Sequence, residues 1–159
     1  MANARTPSAL LAAVGALALA GAFTAQYGFG LEPCALCLYQ RIPYAIVLGL
    51  GVIGMVRPAW VVPVLALATA LFAGESALAF YHFGVEQHWW VSGCADTGDL
   101  DALGSAKDLL ASLRAKPPKP CDEVTWRILG VSMAGWNVVI SAVLAGLSAL
   151  ALKTRKWES

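Results

Sequence analysis

The chain has 159 residues, 58% of them hydrophobic and 13% charged, with a formal net charge of +1 and a mean hydropathy of +0.66. That composition excludes a disordered segment and disfavours an ordinary water-soluble domain. Eleven basic residues against ten acidic ones leave no surplus to neutralise a phosphate backbone, so no nucleic-acid partner is expected.

Residues 6–31 carry no charged side chain. At about 1.5 Å rise per residue they more than cover a hydrocarbon layer of roughly 30 Å, which places a first span at about 8–28. Arg5 followed by an alanine-rich run also imitates a secretory signal peptide, but the uncharged run exceeds the roughly 7–15 residues of an h-region. Cleavage there would leave three spans. The uncharged run 42–56 is too short alone, so a second span, about 38–56, begins near Cys34 and Cys37 with Arg41 in its outer turn.

Residues 58–81 are interrupted only by Glu75 and give a third span at about 59–81. The short connection at Arg57 and Pro58 predicts a tight antiparallel hairpin. A fourth span, about 130–152, lies within the uncharged run 128–152. The expected fold is therefore all-α: a single membrane domain over 1–159, an integral four-helix bundle with exported loops at about 29–37 and 82–129. In the second loop Leu100, Leu103, Leu109, Leu110 and Leu113 fall at helical spacing, with Asp101, Lys107, Asp108 and Arg114 on other faces, the pattern of a short amphipathic helix. Lys116-Pro117-Pro118-Lys119-Pro120 then favours an extended path into Cys121.

With four crossings, the segments after the first and third helices emerge on one side, and they hold all four cysteines. Arg5, Arg57, Lys153, Arg155 and Lys156 crowd the helix ends on the other side, as the cytoplasm favours. The long loop has Lys107, Arg114, Lys116, Lys119 and Arg127, so only density near the helix ends separates the two orientations.

Cys34 and Cys37 form a C-x-x-C, whereas Cys94 and Cys121 stand far apart. One close pair and one distant pair suit a redox relay; a zinc site would prefer two close pairs, and neither loop cysteine has a second cysteine or histidine within three residues. His82 and His88 are the only further candidates for a metal, and no metal site is assigned. Permanent disulfides are the commonest use of exported cysteines, but a C-x-x-C bridge closes so small a loop that it is a poor staple. Pro33 precedes Cys34 and the next helix breaker is Pro43, so the pair can occupy a helix's first turn, where unsatisfied N–H groups favour a thiolate. Arg41, four residues after Cys37, is placed to favour the Cys37 thiolate and to bond a ligand held against it, or else to snorkel toward headgroups.

The run Pro33-Cys34-Ala35-Leu36-Cys37-Leu38-Tyr39-Gln40-Arg41 resembles the bacterial disulfide bond formation protein B family, DsbB. Residues 121–133, with Cys121, Asp122, Trp126, Leu129-Gly130 and Met133, are similar to that family's entry into its last helix. The resemblance implies a multi-pass inner-membrane enzyme, termini cytoplasmic and cysteine loops periplasmic. Such an enzyme reoxidises a periplasmic thioredoxin-like thiol oxidase (DsbA-like) and reduces ubiquinone or menaquinone. It further implies that Cys94 receives the partner, Cys121 exchanges with Cys34, Cys37 faces the quinone, and Arg41, His82 and Met133 bind it. Residues 85–90 depart from the best-known members before Cys94.

The alternative class is a non-catalytic tetraspan scaffold with structural disulfides. Glu75, seven residues before His82 on one helix face, reads either as a proton route or as a carboxyl bonded to a neighbouring helix. Trp60 and Trp157 are expected at the inner interface, and Trp89, Trp90 and Trp126 at the outer one.

Overall fold

The computed structural model describes residues 5–90, 119–124 and 126–154. Among them lie four helices long and apolar enough to cross a membrane, and the protein is an all-α membrane four-helix bundle. Helix α1 (Arg5–Phe23) runs on through a π-helical turn, Thr24–Gly28. A linker leads to α2 (Ala35–Tyr39) and then α3 (Arg41–Val56). A 3₁₀ turn at Pro58–Trp60 connects to α4 (Val61–Glu86). A small antiparallel hairpin, β1 (Arg127–Ile128) with β2 (Val131–Ser132), precedes α5 (Met133–Thr154).

Small residues set the closest helix approach. A Cβ added at Gly51 of α3 would stand 2.7 Å from the Ser8 carbonyl oxygen and 2.8 Å from Ala12 Cα of α1, and one at Gly15 would stand 2.7 Å from the Tyr44 carbonyl oxygen. Backbones thus meet where no side chain fits, the packing expected when lipid removes the hydrophobic drive between helices. These pairings run α1 antiparallel to α3. Ser76 Oγ donates to the Val138 carbonyl at 3.2 Å and Ser132 Oγ to Glu86, which makes α4 and α5 antiparallel too. Leu11, Tyr44, Val47, Val64, Leu65 and Phe72 fill the centre. Leu17, Ile46, Leu67, Val143 and Leu147 face outward, as side chains solvated by lipid tails do.

The expected boundaries need local correction. The second span is interrupted at Gln40: Pro43 has no N–H for the Tyr39 carbonyl and its ring crowds that oxygen, so α2 and α3 are separate segments. The third continues five residues past 81 to Glu86, where Trp90 closes it by stacking on Tyr81 at 5.9 Å and donating Nε1–H to the Tyr81 carbonyl at 2.9 Å. The fourth starts at Met133 rather than 130. Leu129 (φ 52°) and Gly130 (φ 81°) are both left-handed, the two-residue hairpin geometry, and Ser132 Oγ caps the helix by accepting the Gly135 N–H at 3.2 Å. The first begins at Arg5 rather than 8. Cys94, the amphipathic loop segment and Trp157 lie outside the described residues.

A buried polar knot joins three helices. Tyr44 O–H donates to Asn137 Oδ1 at 2.6 Å, and Asn137 Nδ2 donates to Glu75 Oε1 at 2.6 Å and Gln40 Oε1 at 3.2 Å. Glu75 is 1% exposed; of its two sequence readings, the bond to a neighbouring helix is the one realised. Because Gln40 is the joint between α2 and α3, the knot anchors the segment that carries the cysteine pair.

Candidate dithiol site

Helix α2 exists to present two sulfurs. Cys34 is its N-cap, in extended backbone, and its Sγ accepts the Cys37 N–H at 3.4 Å, so one orphan donor of the helix start is met by sulfur. The same capping fold brings the Sγ atoms of Cys34 and Cys37 to 3.0 Å, both as free thiols. The Cys34 thiol is pushed up to about 12, first because it donates its proton to Cys37 Sγ and then because it is buried, while His82 pulls the other way. The proton between the two sulfurs therefore resides on Cys34.

His82 joins them from α4. Its Nε2 is 3.5 Å from Cys34 Sγ and 4.0 Å from Glu86 Oε1; Glu86 is in turn held by Ser132 of β2. The imidazole is 3% exposed, and its buried Nδ1 has no hydrogen-bond partner among the described residues. Cys121, 1% exposed, packs into one cluster with Cys34, Leu36 and Val85, edged by Ala35, Cys37, Leu78 and Tyr81. A close cysteine pair, a third cysteine distant in sequence and one histidine therefore meet at one end of the bundle.

Arg41 and Met133 are not among the side chains of that sulfur cluster. Arg41 turns toward α1: Nη1 donates to Gln26 Oε1 at 2.6 Å, and the guanidinium lies over the Phe23 ring at 5.2 Å. The i,i+4 argument considered only its own helix, whereas the better acceptor comes from the π-helical turn beside it. Met133 is 45% exposed at the start of α5. Gln26, Gln40, Glu86, Ser132 and Asn137 were missed from sequence. Asn137 had a signal, since an amide inside an uncharged span is costly unless bonded.

Chemically, the arrangement can exchange disulfides among adjacent sulfurs and hold a proton on a neighbouring imidazole. A family model described as "Disulfide bond formation protein DsbB" matches residues 4–151. Among curated proteins, a disulfide bond formation protein B from Histophilus somni is 32% identical over 122 residues, 74% of this chain and 68% of the relative. Its counterpart in Haemophilus influenzae is 29% identical over 144 residues, 82% and 78% of the two chains. That of Pasteurella multocida is 32% identical over 138 residues, 79% and 72%.

Proposed function

The chain belongs to the disulfide bond formation protein DsbB family, and from that premise we propose that it is a membrane thiol:quinone oxidoreductase. It takes electrons from a reduced periplasmic thioredoxin-like thiol oxidase and delivers them to ubiquinone or menaquinone, with both termini cytoplasmic. The observation that carries this reading is the packing of Cys121 into the cluster of the Cys34–Cys37 pair, which supports exchange between them.

In the proposed sequence a partner thiolate attacks Cys94 of a Cys94–Cys121 disulfide and Cys121 leaves as thiolate. The partner's second thiolate resolves the mixed disulfide and departs oxidised. Cys121 then attacks Cys34 of a Cys34–Cys37 disulfide, releasing Cys37; Cys94 resolves that bond, so the loop disulfide re-forms and Cys34 and Cys37 are left reduced. Each exchange moves two electrons, with direction set by relative potentials. Bound quinone supplies the final oxidant, accepting two electrons and two protons.

The residues present fit such a ring. His82 offers a buried nitrogen, Nδ1, with no partner among the described residues, able to donate to a carbonyl. Arg41 commits only Nη1 to a hydrogen bond among the described residues, leaving the rest of its planar fork to orient an oxygen. Met133, open on the bundle's outer surface, supplies soft apolar contact to a lipid-borne group.

The test is anaerobic mixing of the fully reduced protein with a soluble quinone, following quinone absorbance and free thiols together. Two thiols should disappear per quinone reduced, Cys37→Ser should abolish the reaction, and Cys94→Ser should keep it while losing capture of the reduced partner. Arg41→Lys should raise the quinone KM. Thiols unchanged by quinone would establish the scaffold instead.

A further inference from the structure

The cluster has a second chemical capacity, beyond electron transfer. Cys34 Sγ, Cys37 Sγ and His82 Nε2 all lie within 4.8 Å of one another, two soft sulfur donors and one imidazole converging from α2 and α4. We propose that the reduced pair, with His82, forms a redox-gated site for a soft divalent cation of the zinc class.

The geometry is near what such an ion needs. With Zn–S about 2.3 Å and Zn–N about 2.0 Å, a tetrahedral site separates its sulfurs by about 3.8 Å and sulfur from nitrogen by about 3.5 Å. The Cys34 to His82 distance of 3.5 Å already matches. The 3.0 Å between sulfurs must widen, which rotation of the half-buried Cys37 side chain provides. On binding, the two S–H protons leave to solvent and two thiolates neutralise the dication, so a neutral complex forms in a poorly hydrated place. Cys121, buried in the same cluster, is the further donor available for the fourth position, where it would release a third proton and leave the complex with one negative charge. Glu86, 4.0 Å from the His82 ring nitrogen, adds negative charge beside it.

The site exists only while Cys34 and Cys37 are thiols, because a disulfide has no thiolate to give. Metal and disulfide therefore exclude each other, and a bound ion arrests the pair in its reduced state.

Cobalt(II) is the probe, since thiolate ligation gives an intense charge-transfer band and tetrahedral geometry a visible one. The full chain carrying Cys94→Ser, which removes the rival loop pair, should bind one cobalt per chain when reduced and none when the Cys34–Cys37 disulfide is formed. Zinc should displace it and bleach both bands. Loss of an outer-shell partner alone typically costs about 10–100-fold in metal affinity, so His82→Gln should raise the Kd at least about tenfold. Where His82→Gln reduces the folded yield, cadmium NMR on protein with His82 intact and nitrogen-labelled reads the same ligand through cadmium–nitrogen coupling. No thiolate band in the reduced protein, an equal band in the oxidised one, or a Kd and cadmium spectrum indifferent to His82 would overturn the site. None of these readouts uses quinone or a partner, so they stand or fall apart from the proposed activity.

Discussion

Asn137→Leu should be among the most damaging single changes on the inward face of α5. Asn137 makes three interhelical hydrogen bonds, to Tyr44, Gln40 and Glu75, and leucine keeps the branched shape, with bulkier methyl ends, while removing all of them. Interhelical side-chain bonds in membranes average about 0.6 kcal/mol each, which gives about 2 kcal/mol for the knot. A larger cost comes from what is left behind. Glu75 Oε2 already has no partner among the described residues, so losing the bond to Oε1 strips a 1% exposed carboxyl of its last one there, worth about 1–3 kcal/mol. The expected loss is about 3–5 kcal/mol in reversible unfolding from detergent into SDS-containing mixed micelles, read by circular dichroism. Val139→Leu, two residues on and facing outward, should change stability by no more than about 0.5 kcal/mol. Combining Asn137→Leu with Glu75→Ala should fall short of additivity by about 0.6–1.7 kcal/mol. A loss below about 1 kcal/mol for Asn137→Leu, or full additivity, would refute the knot as an energetic unit. Because Gln40 is tied to Asn137, the same change should speed alkylation of Cys37.

At the α1–α3 contact, Gly51→Ala places a methyl 2.7 Å from the Ser8 carbonyl oxygen and should cost about 1–3 kcal/mol. Gly49→Ala meets nothing within 4 Å and should be neutral or gain up to about 1 kcal/mol from helix propensity; equal effects in the micelle titration would sink the close-approach argument. In the hairpin, Leu129→Asn should gain up to about 1 kcal/mol, since asparagine tolerates the φ of 52° better than leucine, with slower amide exchange in β1 and β2 as the check. For the dithiol, Cys34 is an acid whose folded value is raised from 9.0 to about 12, so its neutral form is favoured by folding. That contribution is present below pH 9.0 and is lost as pH rises toward about 12. Alkylation of Cys34 in the reduced protein should accordingly still be accelerating well above pH 9.0, and His82→Gln, which removes the one side chain pulling the value down, should slow it further. A half-maximal rate at pH 9.0 would contradict the sulfur-to-sulfur proton.

How far the sequence could be read follows the range of each interaction. The four spans were legible because a bilayer imposes one length scale, and uncharged runs such as 6–31 and 128–152 display it directly. Their ends were not, because a helix start depends on a cap or a turn rather than on hydropathy. Ser132, Leu129 and Gly130 decide where α5 begins, and an apolar run passes straight through them. The cysteine pair was legible from spacing alone, since the C-x-x-C and its helix are local to one another. Bringing Cys121 into the same cluster is a long-range fact, reached only through the family resemblance. Arg41 shows the limit of helical-wheel reasoning: the wheel considers one helix, whereas Gln26 and Phe23 of another segment contact the guanidinium. Glu75 and Asn137 show an avoidable miss. A carboxyl and an amide in separate apolar spans each need a partner inside the bundle, and charge counting registered the first while passing over the second. Reading every hydrogen-bonding side chain in a span as a demand for a partner would have paired them. Asn137 meets that demand for Glu75 Oε1, while among the described residues it stays unmet at Ser8 Oγ, Gln40 Nε2, Glu75 Oε2 and His82 Nδ1.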